Sequence, residues 1–453
     1  MRFIFTFLCL ISLMREVTPQ GLLSDNDKII IDSLFNGALS RRTAYEWLKD
    51  ICINIGPRLS GSDASNKSLD WAVNKLNGMS NVKVYRQELM VPYWERGKVE
   101  KAYLISNGNQ TELKVAALGG SIGTGSSLLA SQVIELKSFE ELEQRKAEVK
   151  NKIVFFNNEF PKTVLNTFEA YGQLARYRVF GAREAAKFGA VAVIVRSITS
   201  SEDNVPHVGV MIYNDTIPKI PAVAIGVLDA GVLHNSIVKD KEALVSIQLS
   251  CQILPDRPSA NIIAEIKGSE KPEEVIVVSG HFDSWDKGQG AHDDGAGCVQ
   301  SMEVIKLFSD MNYKPLHTLR CVLFMNEENG SRGSAKYAEL STEKHLAAIE
   351  SDRGGFLPNG FSFDGDSLLF EKLREFIPQL NRWGVWYFQK GGSGADIGRI
   401  KDCKMKLGYV PDSQRYFEVH HSDNDVIGAV NPRELELGSA VNAMMVYILD
   451  KYF

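Results

Sequence analysis

Apolar positions along the chain recur in two periods. Residues 24–37 and 41–55 read as helices, and Leu69, Ala72, Val73 and Leu76 fall on one face of a third helix. Between them, residues 56–62 break the pattern with turn formers. Residues 82–90 and 98–106 then read as strands. From 114 to 249 the texture changes to short apolar strands at 133–136, 152–156, 189–195 and 220–225. Helices over 138–149, 168–188 and 228–237 separate them. Beyond 250 a regular rhythm returns. Strands at 259–266, 274–279, 318–325, 346–350, 385–388 and 405–410 alternate with helices at 296–308, 331–340, 368–380 and 434–449. The fold class expected is α/β, with a mixed, mainly parallel sheet sandwiched by helices. The domains expected are one unit in two pieces, 24–113 and 250–453, interrupted by a separate α/β module over 114–249.

The totals are those of an ordinary globular chain: 453 residues, 44% hydrophobic, 24% charged, with a formal net charge of −5. No basic cluster argues for a nucleic-acid partner. Arg2 and the apolar run over 3–14 read as a signal peptide within residues 1–20, too short to span a bilayer as a helix. A secreted protein is expected, with lysosomal delivery equally compatible and no membrane association after cleavage. Sequons at Asn66, Asn109 and Asn214 suit that route. The cysteines are too sparse for a disulfide framework.

Chemistry concentrates at expected strand ends, where ligands of α/β sheets gather. His281 follows the apolar run 275–278, and Asp283 stands where it can accept the other ring N–H of that histidine. Asp293 and Asp294 open a helix within a loop of small residues. Glu327 and Glu328 follow the strand at 318–325. One of two neighbouring carboxylates can bind a metal while the other faces the attacking water. Asp352 lies just past the next strand. Far downstream stand His420 and His421, with Asp425 placed to support the His421 ring. Oxygen and nitrogen donors without thiolates suit zinc.

These runs resemble the co-catalytic zinc peptidases of the aminopeptidase/glutamate carboxypeptidase family. The carriers are Gly280-His281-Phe282-Asp283-Ser284-Trp285-Asp286, Gly288 to Gly295, Glu327-Glu328, Glu350-Ser351-Asp352, Phe356-Leu357-Pro358 and His420-His421-Ser422 with Asp425. The turn-rich run 56–62 is similar to the family's N-terminal motif. The resemblance implies a zinc exopeptidase fold with a protease-associated domain as the inserted module. It implies two Zn2+ per chain, one on His281, Asp293 and Asp352, the other on Asp293, Glu328 and His421, with Glu327 as the general base. His420 competes with His421. Peptide substrates and a homodimer are implied as well. Asp396, in a segment the family uses near the substrate, is a further candidate contact, and a helix N-cap is its other reading. Arg353, Val426 and Arg399 depart from the family pattern without removing a ligand. The alternatives are an aminopeptidase of the same fold, a receptor that has kept the scaffold, and a single-zinc acyl-transfer enzyme.

Overall fold

The structure, a computed structural model, describes residues 21–125 and 128–453, so the expected signal peptide lies outside the described residues. Strand β1 (Lys83–Glu95) opens one sheet. The chain then builds a second sheet from β2 (Glu100–Ser106), β3 (Asn109–Leu113), β4 (Val115–Ala117), β5 (Leu129–Leu136), β6 (Ile153–Phe156), β7 (Ala192–Arg196), β8 (Ala222–Ile225) and β9 (Leu244–Leu249). It returns to the first sheet with β10 (Gln252–Ile266), β11 (Lys271–His281), β12 (His317–Phe324), β13 (Lys344–Glu350), β14 (Pro358–Gly365), β15 (Tyr387–Lys390) and β16 (Cys403–Pro411).

The first sheet runs β1-β10-β12-β11-β13-β16-β14-β15. Its centre, β12-β11-β13-β16, is parallel, as the near-continuous apolar runs of those strands require when both faces are covered. One face is sealed by the helices Asp25–Arg41, Thr43–Asn54, Ala296–Asp310 and Pro432–Tyr452. The opposite face carries a smaller cluster, in which Tyr337, Ile397 and Ile400 lie over β11 and β12. Strand β14 was not expected. Pro358, Gly360 and Gly365 give its sequence the look of a turn, yet it pairs antiparallel with β16 and parallel with β15.

The second sheet, β3-β2-β9-β5-β6-β7-β8-β4, has its own apolar clusters. Sheet pairing corrects the expected boundary. Strands β2 and β3 hydrogen-bond within this second sheet, with Glu100 opposite Leu249, so residues 100–113 leave the first unit and the division falls near 99. Alternation of apolar residues marks a strand but not which sheet it joins. The two crossings between units are tied together, since the Ser250 N–H donates to the Val99 carbonyl at 3.0 Å. Beside them the buried Arg96 forks onto Asp286 at 2.8 and 2.6 Å and reaches Glu100 at 2.8 Å, a bidentate geometry that fixes orientation. Leu59, Trp94 and Trp285 of the first unit are embedded in the core of the second. Among the described residues, no helix is long and apolar enough to cross a membrane. Cys52, Cys251, Cys298, Cys321 and Cys403 are unpaired. Asn109 and Asn214 are exposed, while Asn66 is half-buried on the helix Asp63–Leu76.

Candidate metal centre

Parallel strands β12, β11 and β13 lie side by side, and their carboxyl ends deliver the candidate residues to one place. His281 is the last residue of β11. Glu327 and Glu328 lie just past β12, and Asp352 just past β13. Asp293 sits in the turn that precedes the helix Ala296–Asp310, with a non-helical backbone. His420 and His421 follow the short helix Tyr416–Val419. Close backbone approach makes this convergence possible: a Cβ on Gly297 would lie 1.8 Å from the Ser351 carbonyl oxygen.

The five expected ligands converge around Asp293. Its Oδ1 lies 3.1 Å from His281 Nε2, which also faces Asp352 Oδ1 at 3.4 Å. Its Oδ2 lies 3.2 Å from His421 Nε2, which faces Glu328 Oε2 at 3.2 Å as well. His420 stacks on His421 with ring centroids 3.5 Å apart and approaches Asp293 Oδ2 at 3.5 Å. His421, which reaches two carboxylates, is the better placed of the pair. Burial and the adjacent His421 hold the His420 ring well below the ordinary histidine range.

The tautomers decide what these contacts are for. Nδ1–H of His281 donates to the Asp283 carbonyl at 3.0 Å, and Nδ1–H of His421 donates to the Val208 carbonyl at 3.1 Å. With Nδ1–H so engaged, each ring turns Nε2 toward carboxylate oxygens, a position that either a proton or a metal cation can fill. Burial opposes charging either ring. Asp352 and Asp293 nevertheless push His281 well above the ordinary range, and Glu328 and Asp293 do the same to His421. Burial pushes Glu327 upward, opposed by His281 and reinforced by Asp352, Asp396 and Glu328. The set thus gathers carboxylates and the Nε2 atoms of two oriented imidazoles around one point, and cations bind there in competition with protons. Divalent cations with oxygen and nitrogen preferences fit it, and zinc fits its mixture of imidazole and carboxylate. Two groups of donors lie close enough to hold an ion, His281 with Asp293 and Asp352, and Asp293 with His420 and His421. Glu328 approaches the second through His421, and Glu327 lines the cavity over the cluster.

Two supporting roles differ from the expectation. The Asp283 carboxylate does not accept from His281. It takes the backbone N–H of Asn326 at 2.7 Å and of Glu327 at 3.0 Å, fixing the turn that carries both glutamates, and only its carbonyl serves the histidine. Asp425 does not support the His421 ring either. Its carboxylate accepts the backbone N–H of His292 at 2.7 Å and of Asp293 at 3.1 Å, holding the Asp293 turn in place. In both cases nearby backbone donors lacking any other partner claimed the carboxylate first. Asp294 caps the helix through the Gly297 N–H and also accepts the His281 N–H, both at 3.0 Å. Asp396 is buried at 2% exposure and lies behind the cavity wall, close enough to Glu327 to raise its proton affinity. The Asp396 side chain does not cap the short helix Ile397–Arg399. Its segment is pinned by Glu350, whose carboxylate accepts the N–H groups of Ala395, Asp396 and Ile397.

Three contributors were not singled out from sequence. Arg58, fully buried, gives its guanidinium to the carbonyls of Phe282, Gln289 and Gly290, bracing the loop between His281 and Asp293. Val208 orients His421 through a backbone oxygen. Arg178, on the helix Thr167–Ala186 of the second unit, joins the cavity wall. That cavity holds about 520 Å³, and Phe168, Tyr171, Val210 and Phe417 form its apolar sides.

The profile of peptidase family M28 matches residues 261–445. Carboxypeptidase Q of Bos taurus is 34% identical over 439 residues, covering 96% of this chain and 90% of the relative. The crystal structure of a peptidase M28 precursor from Shewanella amazonensis SB2B matches with a TM-score of 0.88 at 31% identity, over 94% of this chain and 97% of that one. A zinc aminopeptidase from Bacillus subtilis shares the fold, with a TM-score of 0.63 at 20% identity over 89% and 93% of the two chains.

Proposed function

Because the chain belongs to peptidase family M28 and is a zinc metallo-exopeptidase, we propose that it is a two-zinc carboxypeptidase of dipeptides or short peptides. One ion would be held by His281, Asp293 and Asp352, and the other by Asp293, Glu328 and His421, since Asp293 Oδ1 faces His281 and its Oδ2 faces His421. Zinc bound there supplies Lewis acidity toward the scissile carbonyl. Glu327 accepts a proton from the attacking water on its carboxylate and passes it to the leaving amine nitrogen.

Arg178 carries the choice of the carboxyl terminus. Its side chain is 6% exposed, it lines the cavity, and no carboxylate pairs with it among the described residues. Its Nη1–H donates to the Val208 carbonyl at 3.3 Å, while Nε has no partner. Gly209, with φ of 137°, leaves room for it, since a Cβ there would lie 2.5 Å from the guanidinium carbon. A buried cation with unused planar donors at the edge of a peptidase cleft matches a substrate α-carboxylate. A cavity of this size supports small substrates.

Hydrogen bonds to charged groups contribute about 1.5–3 kcal/mol, so Arg178→Met is expected to lower kcat/KM on a free dipeptide by about 10–100-fold. The same variant should leave hydrolysis of the carboxyl-amidated peptide near the wild-type rate, which is itself low. A wild-type enzyme that cleaves the amidated peptide as well as the free one, but rejects an amino-blocked one, would instead establish the aminopeptidase reading.

We also propose that the protein is secreted as a homodimer. The apolar run over 3–14 supports secretion. Trp386, 60% exposed beside the edge strand β15, offers an apolar surface for a second copy. Light scattering on protein recovered from culture medium should report about twice the mass of the processed chain, and a single chain mass would refute the dimer.

A further inference from the structure

His421 is aimed by groups that belong to the second unit. Besides the Val208 carbonyl at its ring, the N–H of Val208 donates to the His421 carbonyl at 2.8 Å, so one residue clasps both backbone and side chain. Nδ1–H of His207, itself 3% exposed, donates to the His420 carbonyl at 2.7 Å. The Thr199 hydroxyl donates to the Phe417 carbonyl at 2.6 Å, and the Asn424 amide donates to Asp203 at 2.8 Å. The clasp is itself braced, since the His207 N–H donates to Ser197 Oγ at 2.9 Å. On the other flank, Trp285 is buried in the core of the second unit and meets the His421 ring edge-on with centroids 5.8 Å apart. A Cβ on Gly119 would lie 1.8 Å from that indole, so the two units interlock there. His421 meanwhile holds a left-handed backbone, φ 59°, which its surroundings must sustain.

We propose that His207 and Val208 are positioning residues for the metal centre. They hold His421 in the tautomer and orientation that present Nε2, so docking of the second unit and occupancy of the Asp293–Glu328–His421 position are linked. This rests on the ligand assignment above. His281 has its support within the first unit, from the Asp283 carbonyl, so the clasp reaches the other ion position only through the shared Asp293. Linkage is reciprocal: whatever loosens the clasp weakens that ion, and loss of the ion loosens the clasp.

His207→Leu keeps apolar bulk and removes the donor, while His207→Asn returns a donor near the place of Nδ1. Zinc content is measured by atomic emission after dialysis against graded free zinc. Loss of a group supporting a ligand costs about 10–100-fold in metal affinity. That loss is expected for one of two ions in His207→Leu, with the other unchanged and His207→Asn restored toward wild type. In the wild type, chelation should raise amide exchange across residues 197–211. Two ions of wild-type affinity in a folded His207→Leu would overturn the proposal. If that variant does not fold, the exchange experiment decides, and unchanged protection of 197–211 on zinc removal overturns it. A wild type that binds fewer than two ions would refute the ligand assignment itself.

Discussion

Glu327→Gln is expected to lower turnover by about 10²–10⁴-fold, the range spanned by general acid–base groups, while zinc content stays at the wild-type level. The substitution preserves shape. The N–H of Glu327 remains held by Asp283, and no ion position uses the side chain, so neither the turn nor the ligand set has reason to change. What disappears is a carboxylate that can take up a proton over the cavity. Without metal, burial and the carboxylates of Asp352, Asp396 and Glu328 raise its proton affinity against the pull of His281, and bound cations would lower it. Circular dichroism and metal analysis on the same preparation separate this outcome from misfolding. Wild-type turnover in Glu327→Gln would eliminate the proposed proton path.

Asp293→Asn is expected to abolish activity and, on the proposed two-ion assignment, to weaken both ions and cost at least one of them. Both ring nitrogens face this one carboxylate, His281 at Oδ1 and His421 at Oδ2. An amide keeps one oxygen and replaces the other with a donor, so one lone pair among the ligands would meet N–H where it now meets a shared anion. The backbone of the turn is held independently by Asp425, so the fold should persist. Asp352→Asn is the contrasting variant: it touches only the His281 side and should weaken a single ion. Two zincs retained by Asp293→Asn would show that the carboxylate does not bridge.

Asp293, in a turn, and His421, after a short helix, entered the ligand set through the family resemblance, whereas His281, Glu328 and Asp352 were legible in sequence because each stands at or just past the end of an apolar strand. The central parallel strands were legible for the same reason. The supporting shell was not. Asp283 and Asp425 were recognised as near the site and given the wrong partners, because nothing in a sequence says which backbone N–H is left without an acceptor. Val208 acts through a carbonyl oxygen that every residue possesses. Arg178 shares its helix with Arg176 and Arg183, and only the turn of that helix against the cavity selects it. The 98–106 stretch reads correctly as strand and β3 was missed, but the strand that ties β2 into the second sheet, β9, lies more than a hundred positions away.

The order of the site residues along the chain has a consequence for assembly. Val208, which aims the last imidazole, is synthesised before Asp293 and Glu328, and His421 comes roughly a hundred residues after them. The complete donor set therefore exists only once both pieces of the first unit have been made around the second, so metal loading follows the joining of the units.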